Sequence, residues 1–302
     1  MTAGSLRLPR PSPLSSTRQE HAMTHILITG ASGRLGGAAV RSLLALHPAA
    51  ELHALVRTPE AADRLVRIGV DARIADYADP LRLAEALRGI DRLLFVSSPV
   101  LDPGERLRQH RAVVAAATSL EHIVYTSIQG AERDPAHSAT EAALRARGGT
   151  TILRNGFYTE PFVSAALEQA RNGSIVSATA SQPLATASIA DLADAAARLV
   201  LGSPHEGLLE LRGPAWTYAE LAAVLGGLLE RPVDHRDVAV ADAGPFGPLH
   251  AAAAAGLLAH QTDDLRLTLG HDPRRIGEVA AEVLADVESA GNASTDGPET
   301  WS

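Results

Sequence analysis

Two residue types are missing from this 302-residue sequence: it has no cysteine, and all 27 of its basic residues are arginines, so it has no lysine. Without cysteine the chain has no disulfide, no thiolate nucleophile and no cysteine-ligated metal site. Without lysine it cannot use a couple in which a lysine ammonium lowers the pKa of a catalytic tyrosine. Both absences restrict the chemistry that the chain can perform.

Long apolar runs and blocks of like charge are missing as well. No apolar segment approaches the ~20 residues that are needed to cross a bilayer. A net charge of -8 without charge clusters disfavours nucleic acid as a partner. The histidines are dispersed, so we predict no metal site. These features indicate a cytoplasmic protein that binds a small molecule and no membrane, and they leave open whether it forms a homodimer.

The two ends of the chain differ in composition from the rest. Residues 1–22 are rich in proline, serine and arginine and have no apolar period, which predicts a disordered extension. The alternatives are a transit-like leader and translation that starts at Met23. Residues 289–302 also have no apolar period, and we predict a disordered tail there.

The most informative segment begins with the apolar run His25–Thr29, which leads into a glycine-rich turn and then into an amphipathic helix. Strand, glycine turn and helix in this order are typical of a dinucleotide-binding site. Gly30 permits the tight turn, Gly33 lets the backbone approach a pyrophosphate, and Gly36 lets the helix pack closely on the sheet. The predicted cofactor contacts in this turn are Gly30, Ser32, Gly33, Arg34, Leu35 and Gly36.

Apolar strands and amphipathic helices alternate along the rest of the chain. Repeated βα units of this length predict an α/β fold, with a Rossmann-type doubly wound parallel sheet and a smaller α/β C-terminal substrate lobe. We predict the Rossmann domain at residues 23–156, with 184–201 returning to it, and the lobe at 157–183 and 202–288. An alanine-rich helix at Pro248–Ala259 is expected to cover the substrate as a lid.

Polar residues follow the predicted strands, and ligands of such a sheet bind beyond the carboxyl ends of its strands. Arg57 follows the second strand, where an NAD-preferring site places an acid, and it predicts a contact with the 2′-phosphate of NADPH, with help from Arg34. The alternative for Arg57 is a solvated side chain at a strand exit. The later strand ends supply the other predicted cofactor contacts, Asp76, Tyr77, Ser97, Ser98, Thr126, Ser127 and Asn155.

A series of motifs runs in order from about Met23 to Asp286: ITGASGRLGG, LVRTPE, ADYADP, LLFVSSP, VYTSIQGA, HSATE and LRNGFYTE. In these motifs the sequence resembles the NmrA-like, atypical branch of the short-chain dehydrogenases/reductases, and within it the NAD(P)H:quinone oxidoreductase type 2 members. Triphenylmethane dye reductases belong to the same branch. The resemblance implies a Rossmann domain with a small C-terminal lobe over the nicotinamide, and NADPH as the hydride donor.

The helix that carries a tyrosine–lysine couple in classical members of this superfamily is different here. In its place stands HSATE, in which His137 and Glu141 share one helix face. His137 could hydrogen-bond a ribose hydroxyl or protonate a substrate oxygen, and the alternative is a solvated histidine near a helix start. We predict His137 and Tyr158 as the catalytic residues.

A quinone suits a site without that couple, because its hydride acceptance is strongly driven and its product can take a proton from solvent. We therefore predict an NADPH-dependent reductase of a quinone or similar conjugated acceptor, with a substrate wall made of Asn155, Phe157 and Tyr158. Each of these three residues could instead serve packing. Two other functions stay open: a non-catalytic NAD(P)-sensing regulator, and a reductase of a polyketide-type biosynthetic intermediate.

Overall fold

The computed structural model describes residues 24–293, so the predicted extension at 1–22 and residues 294–302 of the predicted tail lie outside the described part of the chain. The strands are β1 (Ile26–Ile28), β2 (Leu52–Val56), β3 (Asp71–Ile74), β4 (Arg92–Val96), β5 (His122–Ile128), β6 (Thr150–Asn155), β7 (Ser174–Ser177), β8 (Gly207–Leu211) and β9 (Asp234–Asp237). The helices are α1 (Arg34–Leu46), α2 (Pro59–Val66), α3 (Pro80–Ala86), α4 (Pro103–Ala116), α5 (Pro135–Arg147), α6 (Thr159–Ala170), α7 (Ile189–Leu201), α8 (Tyr218–Leu228), α9 (Gly247–Ala254), α10 (Asp264–Leu269) and α11 (Ile276–Ala293).

Within residues 24–293, seven strands form one parallel sheet in the order β3-β2-β1-β4-β5-β6-β8. The chain moves outward from β1 to β3 and then crosses back to β4 on the other side of β1. This reversal defines a doubly wound sheet, so the predicted α/β Rossmann-type fold is confirmed. Strands β7 and β9 pair with each other in a separate two-stranded sheet.

Strand β1 contributes to the cores on both faces of the main sheet, because successive side chains of a strand point to opposite sides. Ile26 and Ile28 belong to the core under α1, α2 and α7. Leu27 belongs to the opposite core, where it shares a cluster with Phe95 of β4 and Tyr125 of β5 under α3, α4 and α5. Burial on both sides explains why these strands are apolar throughout rather than alternating.

The C-terminal lobe has a hydrophobic core of its own. Phe162 of α6, Trp216, Leu221 of α8 and Val279 of α11 are all buried in it. Helix α8 starts with a capping box: the Thr217 hydroxyl accepts the backbone N–H of Glu220, and the Glu220 carboxylate accepts the backbone N–H of Thr217. The chain enters this lobe after the carboxyl end of β6, where α6 begins.

Three features differ from the sequence prediction. Strand β8 was placed in the lobe, but its backbone pairs with β6, with Ile152 opposite Leu208, so it is the last strand of the main sheet. Helices α10 and α11 were not predicted, and α11 continues to Ala293, so the predicted tail from residue 289 starts inside this helix.

Among the described residues, no helix combines the length and apolarity needed to cross a membrane.

Candidate functional site

A cleft of about 510 Å³ opens where the strand order reverses, beyond the carboxyl ends of β1 and β4. A doubly wound sheet leaves a crevice at this point because the connections on its two sides leave in opposite directions. The ends of the four neighbouring strands β1 to β4, the segments that follow them, the start of α1, one residue of α4 and one residue after β6 line the cleft: Gly30, Ser32, Gly33, Arg34, Leu35, Gly36, Leu55, Val56, Arg57, Ala75, Asp76, Tyr77, Val96, Ser97, Ser98, Pro99, Val100, Gln109 and Tyr158.

The glycine turn after β1 brings the start of α1 against the backbone of the turn itself. Gly30 has a φ of 60°, in the left-handed region that glycine tolerates best. A Cβ on Gly36 would overlap the carbonyl group of Gly30, so only glycine fits there. Gly33 is the N-cap of α1 and provides no side-chain cap, and the first turn of α1 has no acidic residue. The first N–H groups of α1 therefore remain available to an anion in the cleft.

Two arginines border the cleft with their side chains exposed. Arg34 is the first residue of α1, and Arg57 follows β2, as predicted from the sequence. Within residues 24–293, neither guanidinium has a carboxylate partner within 4.0 Å. Two arginines without a salt-bridge partner in this part of the chain, beside a helix N-terminus, favour a phosphorylated ligand.

Tyr77 and Asp76 line the cleft, and both side chains are held by neighbouring backbone. The Tyr77 hydroxyl donates to the carbonyl oxygen of Val96 at 2.7 Å, which ties the end of β3 to the end of β4. Burial raises the pKa of Tyr77, so the phenol keeps its proton for this hydrogen bond. Asp76 accepts the backbone N–H of Ala78 at 2.8 Å. These two residues shape the wall where β3 ends.

The loop after β4 is fixed by helix α4. The backbone N–H of Ser98 donates to Nε2 of His110 at 3.0 Å, and the Ser98 hydroxyl donates to Oε1 of Gln109 at 2.5 Å. Ser97 donates its backbone N–H to Oγ1 of Thr126 at 3.0 Å. Thr126 thus supports the wall of the cleft from β5 and is not itself one of its lining residues, in contrast to its predicted role.

His137 lies in a buried network instead of in the cleft. Its side chain is 2 % exposed, and its Nδ1 accepts the hydroxyl of Tyr125 at 2.8 Å. Burial lowers the pKa of His137, so the imidazole is neutral near pH 7 and has no proton to give as an acid. Neither the predicted catalytic role nor the solvated alternative fits this position.

Glu141 and Ser127 are also held in the protein interior. The Ser127 hydroxyl donates to Glu141 at 2.7 Å, and the Arg154 guanidinium forms two hydrogen bonds with the same carboxylate, at 2.9 and 2.8 Å. Burial alone would raise the pKa of Glu141, but the hydrogen bonds from Arg154 and Ser127 lower it below its ordinary value. Ser127 is therefore committed to an ion-pair network and does not line the cleft.

The LRNGFYTE motif divides between the cleft and its surroundings. Tyr158 lines the cleft, and its hydroxyl has no hydrogen-bond partner in the described part of the chain. Burial raises the pKa of Tyr158, the Glu160 carboxylate adds to the rise, and Arg34 opposes it. Asn155 is 6 % exposed, and its Oδ1 is buried without a partner among residues 24–293. Phe157 packs against the lobe core and is not a lining residue.

Several lining residues were not predicted from the sequence. Leu55, Val56, Ala75 and Val96 are apolar residues at the ends of β2, β3 and β4, Val100 lies two residues beyond Ser98, and Gln109 is in the middle of α4. All of these except Gln109 could have been found by extending the strand-end rule to the residues around each predicted contact. Gln109 gave no signal of its own, because its place depends on how α4 packs across the loop.

Comparison with known proteins agrees with this geometry. A family model described as NAD(P)H-binding matches residues 30–200. Quinone oxidoreductase 2 of Escherichia coli (strain K12) is 38 % identical over 227 residues, which cover 72 % of this chain and 79 % of the relative. The NmrA-like family domain-containing oxidoreductase flvB of Aspergillus flavus is 34 % identical over 292 residues, which cover 86 % of this chain and 95 % of the relative.

The chain belongs to the NAD(P)H-binding, NmrA-like family of oxidoreductases. Among solved structures, the Citrobacter sp. triphenylmethane reductase complexed with NADP(H) is similar, with a TM-score of 0.78 and 32 % identity over 86 % of this chain and 99 % of that chain. The predicted family and the predicted class of NAD(P)H-dependent oxidoreductase are confirmed.

Replacement of Gly36 by alanine should weaken dinucleotide binding about tenfold or more, because the added methyl overlaps the Gly30 carbonyl and forces α1 away from the turn. Calorimetric titration with NADPH measures the change. Gly227→Ala is the matched control, since a Cβ on Gly227 in α8 would meet nothing within 4 Å. Equal affinities for the two variants would contradict the role of the close approach at Gly36.

Proposed function

We propose that this oxidoreductase uses NADPH to reduce a quinone or a similar conjugated acceptor by hydride transfer. The observation that carries the choice of NADPH is the position of Arg57, exposed at the cleft after β2 and without a carboxylate partner among residues 24–293. A guanidinium can bind a 2′-phosphate with two parallel hydrogen bonds, whereas a dinucleotide without that phosphate gives it nothing to bind. The name of the E. coli relative supports a quinone as the acceptor.

The residues of the cleft fit a dinucleotide. Gly36 lets α1 approach the turn closely, so the uncapped start of α1 offers its N–H donors to a pyrophosphate, and Arg57 would hold the 2′-phosphate. Asn155 is not one of the residues that line the cleft, so its contact with the cofactor stays a prediction. When bound, the reduced nicotinamide supplies the hydride.

The side chains of this chain are better suited to position an acceptor than to protonate it. No lysine exists in the sequence, and the phenol of Tyr125 and the imidazole of His137 are committed to each other in the core. Tyr158 is the candidate for a hydrogen bond to an acceptor oxygen, because it lines the cleft and its hydroxyl has no protein partner in the described part of the chain. A quinone needs only this orientation and exclusion of competing reactions, since its reduced oxygen can take a proton from solvent.

Arg57→Ala should weaken NADPH binding about 10- to 100-fold, because a hydrogen bond to a charged group contributes about 1.5–3 kcal/mol. NADH binding should change little, since NADH has no 2′-phosphate. The measurement is the dissociation constant of each dinucleotide, with Arg67→Ala as the control: Arg67 is an exposed arginine just beyond α2 that does not line the cleft. Equal losses for NADPH and NADH would refute the proposed contact.

The choice of acceptor is tested by the loss of reduced-nicotinamide absorbance with a panel of quinones, azo and triphenylmethane dyes, and simple ketones. We expect turnover with quinones or dyes and little or none with simple ketones, which need a proton donor at the carbonyl. Tight NADPH binding without turnover of any acceptor would contradict the proposed reaction. Equal turnover of simple ketones would contradict the proposal that the site works without a proton relay.

A further inference from the structure

A second cavity, of about 280 Å³, lies in the C-terminal lobe. It opens to solvent and is bordered by helix α6, strand β7, the start of α8 and the segment around α9. Its lining residues are Phe162, Ala165, Ala166, Gln169, Val176, Tyr218, Asp242, Ala243, Gly244, Pro245, Phe246 and His250. None of them lines the dinucleotide cleft described above. The alanine-rich segment that was predicted as a lid contributes to this second cavity through His250.

Aromatic rings form one side of the cavity. Phe162 and Phe246 are stacked with their centroids 4.6 Å apart and an interplanar angle of 29°. Phe162 is buried in the lobe core, whereas Phe246 is half-buried on the segment before α9. A stacked pair of this kind offers a flat apolar surface to a further planar ring.

Tyr218 has an O–H that can donate to a ligand in the cavity, and the protonation of His250 shows why. The backbone N–H of Ala178 donates to Nδ1 of His250 at 3.3 Å, so this nitrogen is the acceptor of a neutral ring. The proton of the ring is then on Nε2, which donates to the Tyr218 oxygen at 2.7 Å. The Tyr218 oxygen is used as an acceptor, and its own O–H has no acceptor within residues 24–293. Burial also raises the pKa of Tyr218, which keeps that proton in place.

Gln169 supplies a second donor. Its Oε1 accepts the backbone N–H of Val176 at 2.9 Å, which fixes the orientation of the amide. The amide NH₂ group then has no acceptor in the described part of the chain. The lining contains no arginine, and its single carboxylate, that of Asp242, is exposed. The cavity therefore presents two donors and no positive charge.

We propose that this cavity is a second ligand site, which binds a neutral planar aromatic molecule through stacking on Phe246 and a hydrogen bond from Tyr218 to a carbonyl oxygen of the ligand. A volume just below the usual range for ligand pockets limits the ligand to one ring or two fused rings. An anionic ligand is disfavoured, because Asp242 is the only charged residue of the lining. The site goes beyond the proposed hydride transfer, since binding there requires no dinucleotide.

Trp216 can report on this site, because its ring lies 6.0 Å from Phe162 and 5.3 Å from Tyr218. The sequence contains two tryptophans, so Trp301→Phe leaves Trp216 as the only tryptophan. In this background and without dinucleotide, menadione should quench the fluorescence saturably. Its affinity should fall about 5-fold in Tyr218→Phe, which keeps the ring and removes the hydrogen bond to the ligand. The bond from Nε2 of His250 to the Tyr218 oxygen is lost as well, but equally from the free and the ligand-bound protein. Methylnaphthalene has the same fused rings but no oxygen that could accept a hydrogen bond from Tyr218. Its own affinity, measured by displacement of menadione, should therefore be the same in Tyr218→Phe as in the parent protein.

Two further variants separate this site from the dinucleotide cleft. Phe246→Leu should weaken the binding of menadione and of methylnaphthalene to the same extent, since it removes the stacking surface at a half-buried position. Arg57→Ala should leave menadione quenching unchanged even though it weakens NADPH. Thermal melting shows first that each variant is folded. Unchanged menadione affinity in both Tyr218→Phe and Phe246→Leu would overturn the proposed site, whereas a failure to turn over menadione would bear only on the proposed reaction.

Discussion

The close approach of helix α1 to the carbonyl of Gly30 is the constraint on which the rest of the site depends. It requires glycine at position 36, and it places the uncapped N–H groups of α1 at the carboxyl end of β1. The strand order reverses between β1 and β4, so the same point is where the sheet leaves a crevice. The tight turn therefore brings the positive end of α1 into the crevice, next to the two arginines. Together these positive groups favour an anionic ligand at this place.

A buried polar network joins α4, β5 and α5 behind the loop that follows β4. Tyr125, His137, His110 and Thr140 are linked through hydrogen bonds, and His110 also holds the backbone of Ser98 in the cleft wall. Burial lowers the pKa of His110 to about 3, so the ring is a neutral, fixed part of the core. The network positions the loop after β4, and within it the Tyr125 hydroxyl and Nδ1 of His137 are bonded to each other.

The sequence was sufficient to predict the main sheet and the part of the site that is made by the glycine turn and the strand ends. The glycine turn and the strand ends at Arg57, Tyr77 and Ser98 line the cleft as expected, because a parallel sheet brings the ends of neighbouring strands together whatever the rest of the chain does. His137 and Glu141 do share a helix face, but periodicity does not tell whether that face meets solvent, a ligand or the core. Only the packing of α5 on β5 decides this, and it buries both residues.

Two other predictions failed because they depended on distant contacts. Strand β8 lies far along the chain from β6, and a short apolar run carries no information about which sheet it joins. Helix α11 begins just after a proline and two arginines, which gave no helix signal in the sequence. The tail from residue 289 was predicted from composition alone, but the first residues of that tail are the last residues of α11. The second cavity was equally inaccessible to sequence reasoning, since its walls come from four separate segments.

The central claim is that the cleft presents a hydride donor to an acceptor that needs no protein acid. The most direct test is the single-turnover rate of quinone reduction, measured with NADPH deuterated at the transferred position and, separately, with ordinary NADPH in D₂O. The account predicts that deuteration of the cofactor slows the reaction, whereas D₂O leaves the rate nearly unchanged. A rate that is insensitive to cofactor deuteration and clearly slower in D₂O would mean that proton transfer limits the reaction, and it would contradict this account.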